Sequence, residues 1–158
     1  MSKLSHVGED GRARMVDVTE KTPNARTASA QGVLICRSET LDSVKSGTAP
    51  KGSVIQTAEL AGVMGAKRTA DLIPLCHPLP LTKIVVTIEM DEKLPGFRIA
   101  SEVRTVGATG VEMEALTAVS IAGLTLFDML KAIDRTMEIG EVRVTAKEGG
   151  KSGSWERE

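Results

Sequence analysis

A chain of 158 residues, 41% of them hydrophobic, can bury about 70% of its unfolded surface, so one domain can hold together without disulfides or a structural metal. Its net charge of -1 and pI near 6.2, with no lysine- or arginine-rich block, argue against nucleic acid as a partner. No apolar run approaches the roughly 20 residues of a membrane span and the polar N-terminus lacks an apolar leader core, so no membrane is expected and the cytoplasm is the expected location.

Residues 1–25 are polar and carry several turn formers, which predicts a flexible, loosely held arm free to fold onto a partner subunit, with MVDV at 15–18 its ordered piece. From Thr27 to Arg37 small residues lead into VLIC, the pattern of a strand, and SETLDSVKSG at 38–47 predicts a short helix closed by Gly47. After Pro50, Ser53 and Gln56 have capping-box spacing, and Val54, Ile55, Ala58, Ala61 and Val63 continue an apolar helical face to Lys67 and Arg68. The stretch DLIPLCHP at 71–78 then breaks the pattern. Pro74 and Pro78 lack amide hydrogens and push Ile73 and His77 toward extended backbone. The segment therefore predicts a stiff connection, neither helix nor strand, that aims His77; the plainer alternative is a proline-rich turn over the edge of the core.

Ile84, Val86, Ile88 and Met90 alternate with Lys83, Val85, Thr87 and Glu89. Beyond LPG at 94–96, Phe97, Ile99 and Val103 alternate with Arg98, Glu102 and Arg104, and the two runs predict an antiparallel hairpin. Thr109 and Glu112 form a second capping-box pair, opening a long helix from about Val111 to Asp134. EVRVTAK supplies the last strand, with Val142, Val144 and Ala146 on one face, and GGKSGSWERE reads as a mobile tail. This βαββαβ order is that of an α+β, ferredoxin-like fold: an antiparallel sheet with both main helices packed on one face. A single domain over 26–148 then lies between a flexible arm (1–25) and a flexible Gly/Ser-rich tail (149–158). The other sheet face is left needing a cover, and the long helix is apolar nearly all round, at Leu116, Val119, Ile121, Leu124, Leu126 and Phe127 among others, so a homo-oligomer is expected.

Asp128 and Lys131 share one helical face within LTLFDMLKA, an apolar setting in which burial pushes both groups toward neutrality while their attraction opposes it. Such a couple can donate and accept protons near neutral pH; the alternative is a plain i,i+3 ion pair. Glu112 and Glu114 open the same helix, where acidic residues complement the dipole; capping claims Glu112 and leaves Glu114 freer to act. An ideal helix puts Glu114 and Asp128 about 21 Å apart, so one substrate reaches both only if it is extended or the site draws on a symmetry mate. Lys51, between Pro50 and Gly52 ahead of a helix N-terminus, stands where an anion meets an ammonium and free amides, or is a solvated loop lysine. GGKSG invites a P-loop reading that fails, because Thr145 stands where glycine is required; Lys147 and Lys151 remain as point charges for phosphate or for solvent. Cys76 and His77, neighbours in extended backbone, point apart, which counts against a thiol–imidazole nucleophile. Cys36, Cys76, His6 and His77 are the only cysteines and histidines, with no CxxC, so no metal site is expected. Aromatic side chains are too scarce to stack a base, which leaves hydrogen bonds and main chain to recognise one.

Taken together, DLIPLCHP, GVEMEALTAVS at 110–120, LFDMLKA at 126–132 and GGKSG resemble the MoaC family, the cyclic pyranopterin monophosphate synthases of molybdenum cofactor biosynthesis. The likeness covers nearly the whole chain from MVDVT onward and varies at Ala70, Pro80 and Glu148. It implies a lyase that converts a cyclised GTP derivative, 3′,8-cyclo-7,8-dihydro-GTP, to cyclic pyranopterin monophosphate with release of pyrophosphate. It also implies a ferredoxin-like hexamer, a trimer of dimers, with the site between subunits. Matched motif by motif, Asp128 and Lys131 are implied as the acid/base pair, with Lys51 and His77 near the reacting atoms. Leu75, Cys76, His77, Glu112, Met113 and Glu114 are implied as the substrate wall, and Lys147 with Lys151 as holders of the triphosphate. No resident cofactor follows; Mg2+ accompanying the triphosphate stays open, because no carboxylate cage is evident. The competing expectation is a ferredoxin-like oligomer that senses a nucleotide without turning it over.

Overall fold

The computed structural model describes residues 5–158, so the first four residues of the arm lie outside the described residues. The period-two runs close into the expected hairpin: β2 (Leu81–Asp91) and β3 (Gly96–Gly107) pair antiparallel, with Ile88 opposite Ile99 and Val86 opposite Ser101. The first strand, β1 (Asn24–Ile35), lies antiparallel between β3 and the last long strand, β4 (Glu138–Glu148). Three helical pieces separate β1 from β2: α1 (Ser38–Lys45), α2 (Val54–Lys67) and the four-residue α3 (Thr69–Leu72). The long helix α4 (Glu112–Leu130) joins β3 to β4, and a short β5 (Trp155–Glu156) ends the chain. The sheet order is β2-β3-β1-β4-β5, antiparallel throughout, so the first four strands with α2 and α4 make the ferredoxin-like βαββαβ arrangement.

Alternation decides which side chains make the core. Ala28, Ala30 and Leu34 of β1 and Phe97, Ile99 and Val103 of β3 point from one sheet face onto Ala115, Ala118, Val119, Ala122 and Leu126 of α4, and all are at most 1% exposed. Small residues let the two main helices meet closely: a Cβ on Gly62 would stand 2.9 Å from the Ala118 carbonyl, and one on Gly65 2.7 Å from Ile121 Cγ1. Ser101 Oγ ties sheet to helix by donating to the Ala115 carbonyl at 2.8 Å. Among the described residues, α4 alone is long and apolar enough to cross a membrane by length and composition, and it is the central helix of this core.

Several local expectations change. Neither capping box forms: Ser53 and Val111 are the residues before α2 and α4, and neither helix start has a side-chain cap hydrogen bond. Glu112 turns instead toward Lys147, at 3.5 Å. The long helix stops at Leu130 rather than Asp134, because Asp134 leaves it to serve α1 from across the chain. Its buried carboxylate accepts from the Arg37 amide (3.0 Å) and Thr40 Oγ1 (2.9 Å), doing for α1 what a local N-cap would do. Asp71 and Leu72, the first residues of DLIPLCHP, complete α3, and the extended backbone begins at Ile73, the residue before Pro74. The tail carries β5, paired with β4 at Ala146 and Lys147 and held by Arg157 Nε on the Val144 carbonyl at 2.9 Å. The sheet face away from the helices carries ion pairs, with Glu102 paired to Lys83 (2.8 Å) and Arg104 (3.4 Å), together with exposed Val85 and Val106. Exposed apolar side chains stand both on the strands, at Ile35, Val85 and Val106, and on the helices, at Leu60 (60%), Met64 (52%) and Leu124 (56%).

Candidate functional site

The stiff loop after α3 forms one wall of a cavity of about 310 Å³. Ile73 is extended, the Cys76 amide returns to the Ile73 carbonyl at 3.2 Å, and Pro78 prevents the turn from winding into a helix. Leu75, Cys76 and His77 line the cavity from this loop, and Glu112, Met113 and Glu114 line it from the first turn of α4. The sequence-derived wall is therefore a single surface built from two elements. Cys76 and His77 both contribute to it despite their opposed directions along the chain. His77 also holds the arm: its Nε2 lies 2.5 Å from the Val16 carbonyl, so that nitrogen carries the proton and donates it. The arm thereby completes the cavity with Ser5, His6, Val16 and Lys21, none of which sequence reasoning singled out for chemistry.

Glu114 is the unusual group of this wall. It is 4% exposed and its Oε2 has no hydrogen-bond partner. Burial, reinforced by the negative charge of Glu112, pushes its carboxyl up to about 7. A carboxyl so placed exchanges a proton at neutral pH, which suits acid/base chemistry. Burial also raises the Cys76 thiol, and the Glu114 charge adds to it, so the thiolate that nucleophilic catalysis needs is disfavoured.

A second cavity, of about 480 Å³, is lined by Glu20, Lys21, Thr22, Asn24, Arg26, Lys151 and Ser152. Its shape depends on the paired glycines after β4. Gly149 and Gly150 have φ of 90° and 82°, and a Cβ on them would run into the Ala25 carbonyl and the Arg26 guanidinium. Arg26 in turn donates to the carbonyls of Gly107 (3.0 Å) and Ala108 (3.3 Å), next to Thr109 and Gly110 in the first cavity. Of the two lysines expected to meet phosphate, Lys151 lines this cavity, whereas Lys147 is drawn to Glu112. Lys21 and Arg26 were not foreseen: Arg26 comes beside the glycines only through the pairing of β1 with β3 and β4, and Lys21 stands in a turn ahead of β1.

Asp128, Lys131 and Lys51 meet at the opposite end of α4. Lys131 Nζ is 2.8 Å from Asp128 Oδ1, and Lys51 Nζ is 3.1 Å from both Asp128 Oδ2 and the Asp128 carbonyl. Lys51 reaches them from the loop between α1 and α2, where Gly47 and Gly52 take φ of 73° and 84°. The expectation of a buried, neutral-leaning pair is corrected, since the Asp128 and Lys131 side chains are 57% and 55% exposed. Hydrogen bonds from Lys131 and then Lys51 hold the Asp128 carboxyl below its ordinary value, which keeps it ionised between two ammonium groups. Fourteen positions of helix, about 21 Å, keep this triad away from Glu114. One chain does not bring the two groups together. Among the described residues no cluster of three or more His, Cys, Asp or Glu side chains is arranged to hold a metal ion.

Residues 15–150 match the model of the MoaC family. The chain is 58% identical over 153 residues to a protein of Brucella ovis named cyclic pyranopterin monophosphate synthase, an alignment covering 97% of this chain and 93% of that one. It is 57% identical over 156 residues to a Cereibacter sphaeroides protein of the same name, covering 99% and 98%. A Methylobacterium protein, again so named, is 57% identical over 155 residues, covering 98% and 97%.

Proposed function

We propose a reaction for this chain from the premise that it belongs to the MoaC family: it is a cyclic pyranopterin monophosphate synthase acting in molybdenum cofactor biosynthesis. As a lyase it converts 3′,8-cyclo-7,8-dihydro-GTP to cyclic pyranopterin monophosphate and releases pyrophosphate. The observation that carries this reading is the pair of adjoining cavities. The first offers the unpartnered Oε2 of Glu114 and the His77 segment to a polar ring, and the second offers Lys151 and Arg26 to a phosphate chain. An extended nucleotide fits that order of chemistry.

The rearrangement moves several protons, and closing the cyclic phosphate requires a ribose-derived hydroxyl to attack the proximal phosphorus as pyrophosphate departs. Asp128, held ionised, accepts a proton, and Lys131 and Lys51 place ammonium groups on either side of it. Glu114 exchanges a proton at the ring end, and Lys151 offsets the charge that builds on the leaving pyrophosphate. Because the triad stands about 21 Å from Glu114 along α4, a second chain completes each site. The exposed Leu60, Met64 and Leu124 on the two main helices are consistent with a homo-oligomer, and a hexamer built as a trimer of dimers is the assembly we propose.

Release of pyrophosphate from purified cyclised nucleotide is the direct test. The native protein releases it, and Lys131→Ala lowers the rate by at least about a hundredfold with oligomer mass unchanged. Release at the native rate by that variant would show that Lys131 is not part of the chemistry. A native protein that binds the nucleotide and releases nothing would instead be a sensing module.

A further inference from the structure

One buried carboxylate joins the two chain segments that carry lysines to Asp128. Asp134 follows Lys131 by three positions, and its own amide donates to the Leu130 carbonyl at 3.0 Å. Its Oδ2 accepts from the Arg37 amide (3.0 Å) and from Thr40 Oγ1 (2.9 Å) at the start of α1. Its Oδ1 accepts from the Thr136 hydroxyl (2.7 Å) and amide (2.9 Å), and the Arg37 guanidinium adds a bond to the Ile133 carbonyl. From there α1 runs to the loop that presents Lys51, and backbone bonds carry its direction onward. The Ser46 amide donates to the Asp42 carbonyl (2.9 Å), the Thr48 amide to that of Ser43 (2.9 Å) and the Gly52 amide to that of Ala49 (3.3 Å). Leu41 and Ala49 seat the same segment in the core. Apolar burial is non-directional, whereas hydrogen bonds on both oxygens of one carboxylate constrain angle as well as distance.

We propose that Asp134 is a positioning residue for the Asp128 triad: it holds α1, and through it the Lys51 loop, against the C-terminal end of α4, and so keeps Lys51 beside Asp128. Its bearing on turnover rests on the synthase reading above; its hold on Lys51 does not.

The Asp128 carboxyl reports where Lys51 stands, because hydrogen bonds from Lys131 and Lys51 hold its titration low. It can be followed in the full chain by carbon-13 NMR with labelled aspartate, its signal assigned by loss in Asp128→Asn. Removing Asp134 would strip a buried network and endanger the fold, so Thr40→Val is the first probe: it keeps the side-chain shape and deletes one donor. Thr40→Val should raise the Asp128 titration toward its ordinary value. Thr40→Ser, which restores the hydroxyl, should return it to the native position, and in a Lys51→Ala background Thr40→Val should move it no further. Thr136 is exposed, so Thr136→Val deletes a donor from the other oxygen without threatening the fold, and it should shift the titration in the same direction. Pyrophosphate release should fall about tenfold or more in Thr40→Val, since a small misplacement of a reacting group is costly even when its cause is remote. A cap that serves only the fold would lower the thermal midpoint and leave Asp128 titrating as in the native chain. That result overturns the proposal, as does a shift that persists without Lys51, or native-rate release by Thr40→Val. A native chain that shows the predicted titrations but releases no pyrophosphate loses the synthase reading and keeps the positioning role of Asp134.

Discussion

Two buried carboxylates in this chain have opposite consequences. At Asp134 burial opposes ionisation, but hydrogen bonds from the Arg37 amide, the Thr136 hydroxyl and amide, and the Thr40 hydroxyl outweigh it and hold the carboxyl well below its ordinary range. Glu114 has only its own amide to favour the charged form and its Oε2 has no partner, so burial wins and its carboxyl rises from 4.5 to about 7. The sign for stability follows. The unfolded chain ionises Glu114 freely above pH 4.5 while the folded chain resists until about pH 7, so this residue subtracts stability progressively across that interval and by a constant amount above it. Glu114→Gln removes the penalty. Its thermal midpoint relative to the native chain should therefore rise between about pH 5 and about pH 8, as followed by circular dichroism, while its turnover falls. A midpoint difference that does not change with pH would mean that Glu114 ionises normally. Asp134 was legible in the sequence only as the end of a helix; its role depends on the return of α1, 94 residues away from it at Thr40.

Among the elements, the contact between α2 and α4 sets how closely the helical layer packs on the sheet. Gly62 has the Ala118 carbonyl and both Val86 methyl groups within 3.1 Å of where a Cβ would stand, and backbone cannot swing aside as a flexible side chain can. Gly62→Ala gains up to about 1 kcal/mol of helix propensity but incurs overpacking of typically 1–3 kcal/mol, so a net loss of about 1 kcal/mol is expected in urea unfolding. Gly140→Ala is the control, since nothing lies within 4 Å of its Cβ position and its φ is not positive; its stability should stay within about 0.5 kcal/mol. The elements themselves were mostly legible, because β2 and β3 alternate cleanly and α4 keeps an apolar helical pattern. α3 and β5 were not. Four residues beside a proline and two residues in a glycine-rich tail carry no periodicity, and tertiary contacts stabilise them.

For the whole molecule, the distribution of exposed apolar surface bears on the proposed assembly. Ion pairs occupy part of the sheet face away from the helices, beside exposed Val85 and Val106, and Leu60, Met64 and Leu124 are exposed on the helices. A charge there is harmless to an isolated chain and costly to a chain that buries it against another. Leu124→Glu should therefore lower the mass seen by light scattering and reduce turnover by at least about tenfold, with the circular dichroism spectrum preserved. An unchanged mass would place the subunit contact elsewhere.

The sequence by itself determined the order and kind of the main elements, through period-two and helical alternation. Through the family resemblance of DLIPLCHP and GVEMEALTAVS it also pointed to Leu75, Cys76, His77, Glu112, Met113 and Glu114 as one group. Tertiary structure alone decided that these two stretches face one cavity and that the arm completes it through His77 and Val16. It likewise decided that Lys51 joins Asp128 and Lys131 in the open rather than in an apolar interior. The physical reason is the same in each case. Periodicity records which face of an element avoids water, but the neighbours of a polar side chain, and hence its charge state and its chemistry, depend on contacts between residues far apart in the chain.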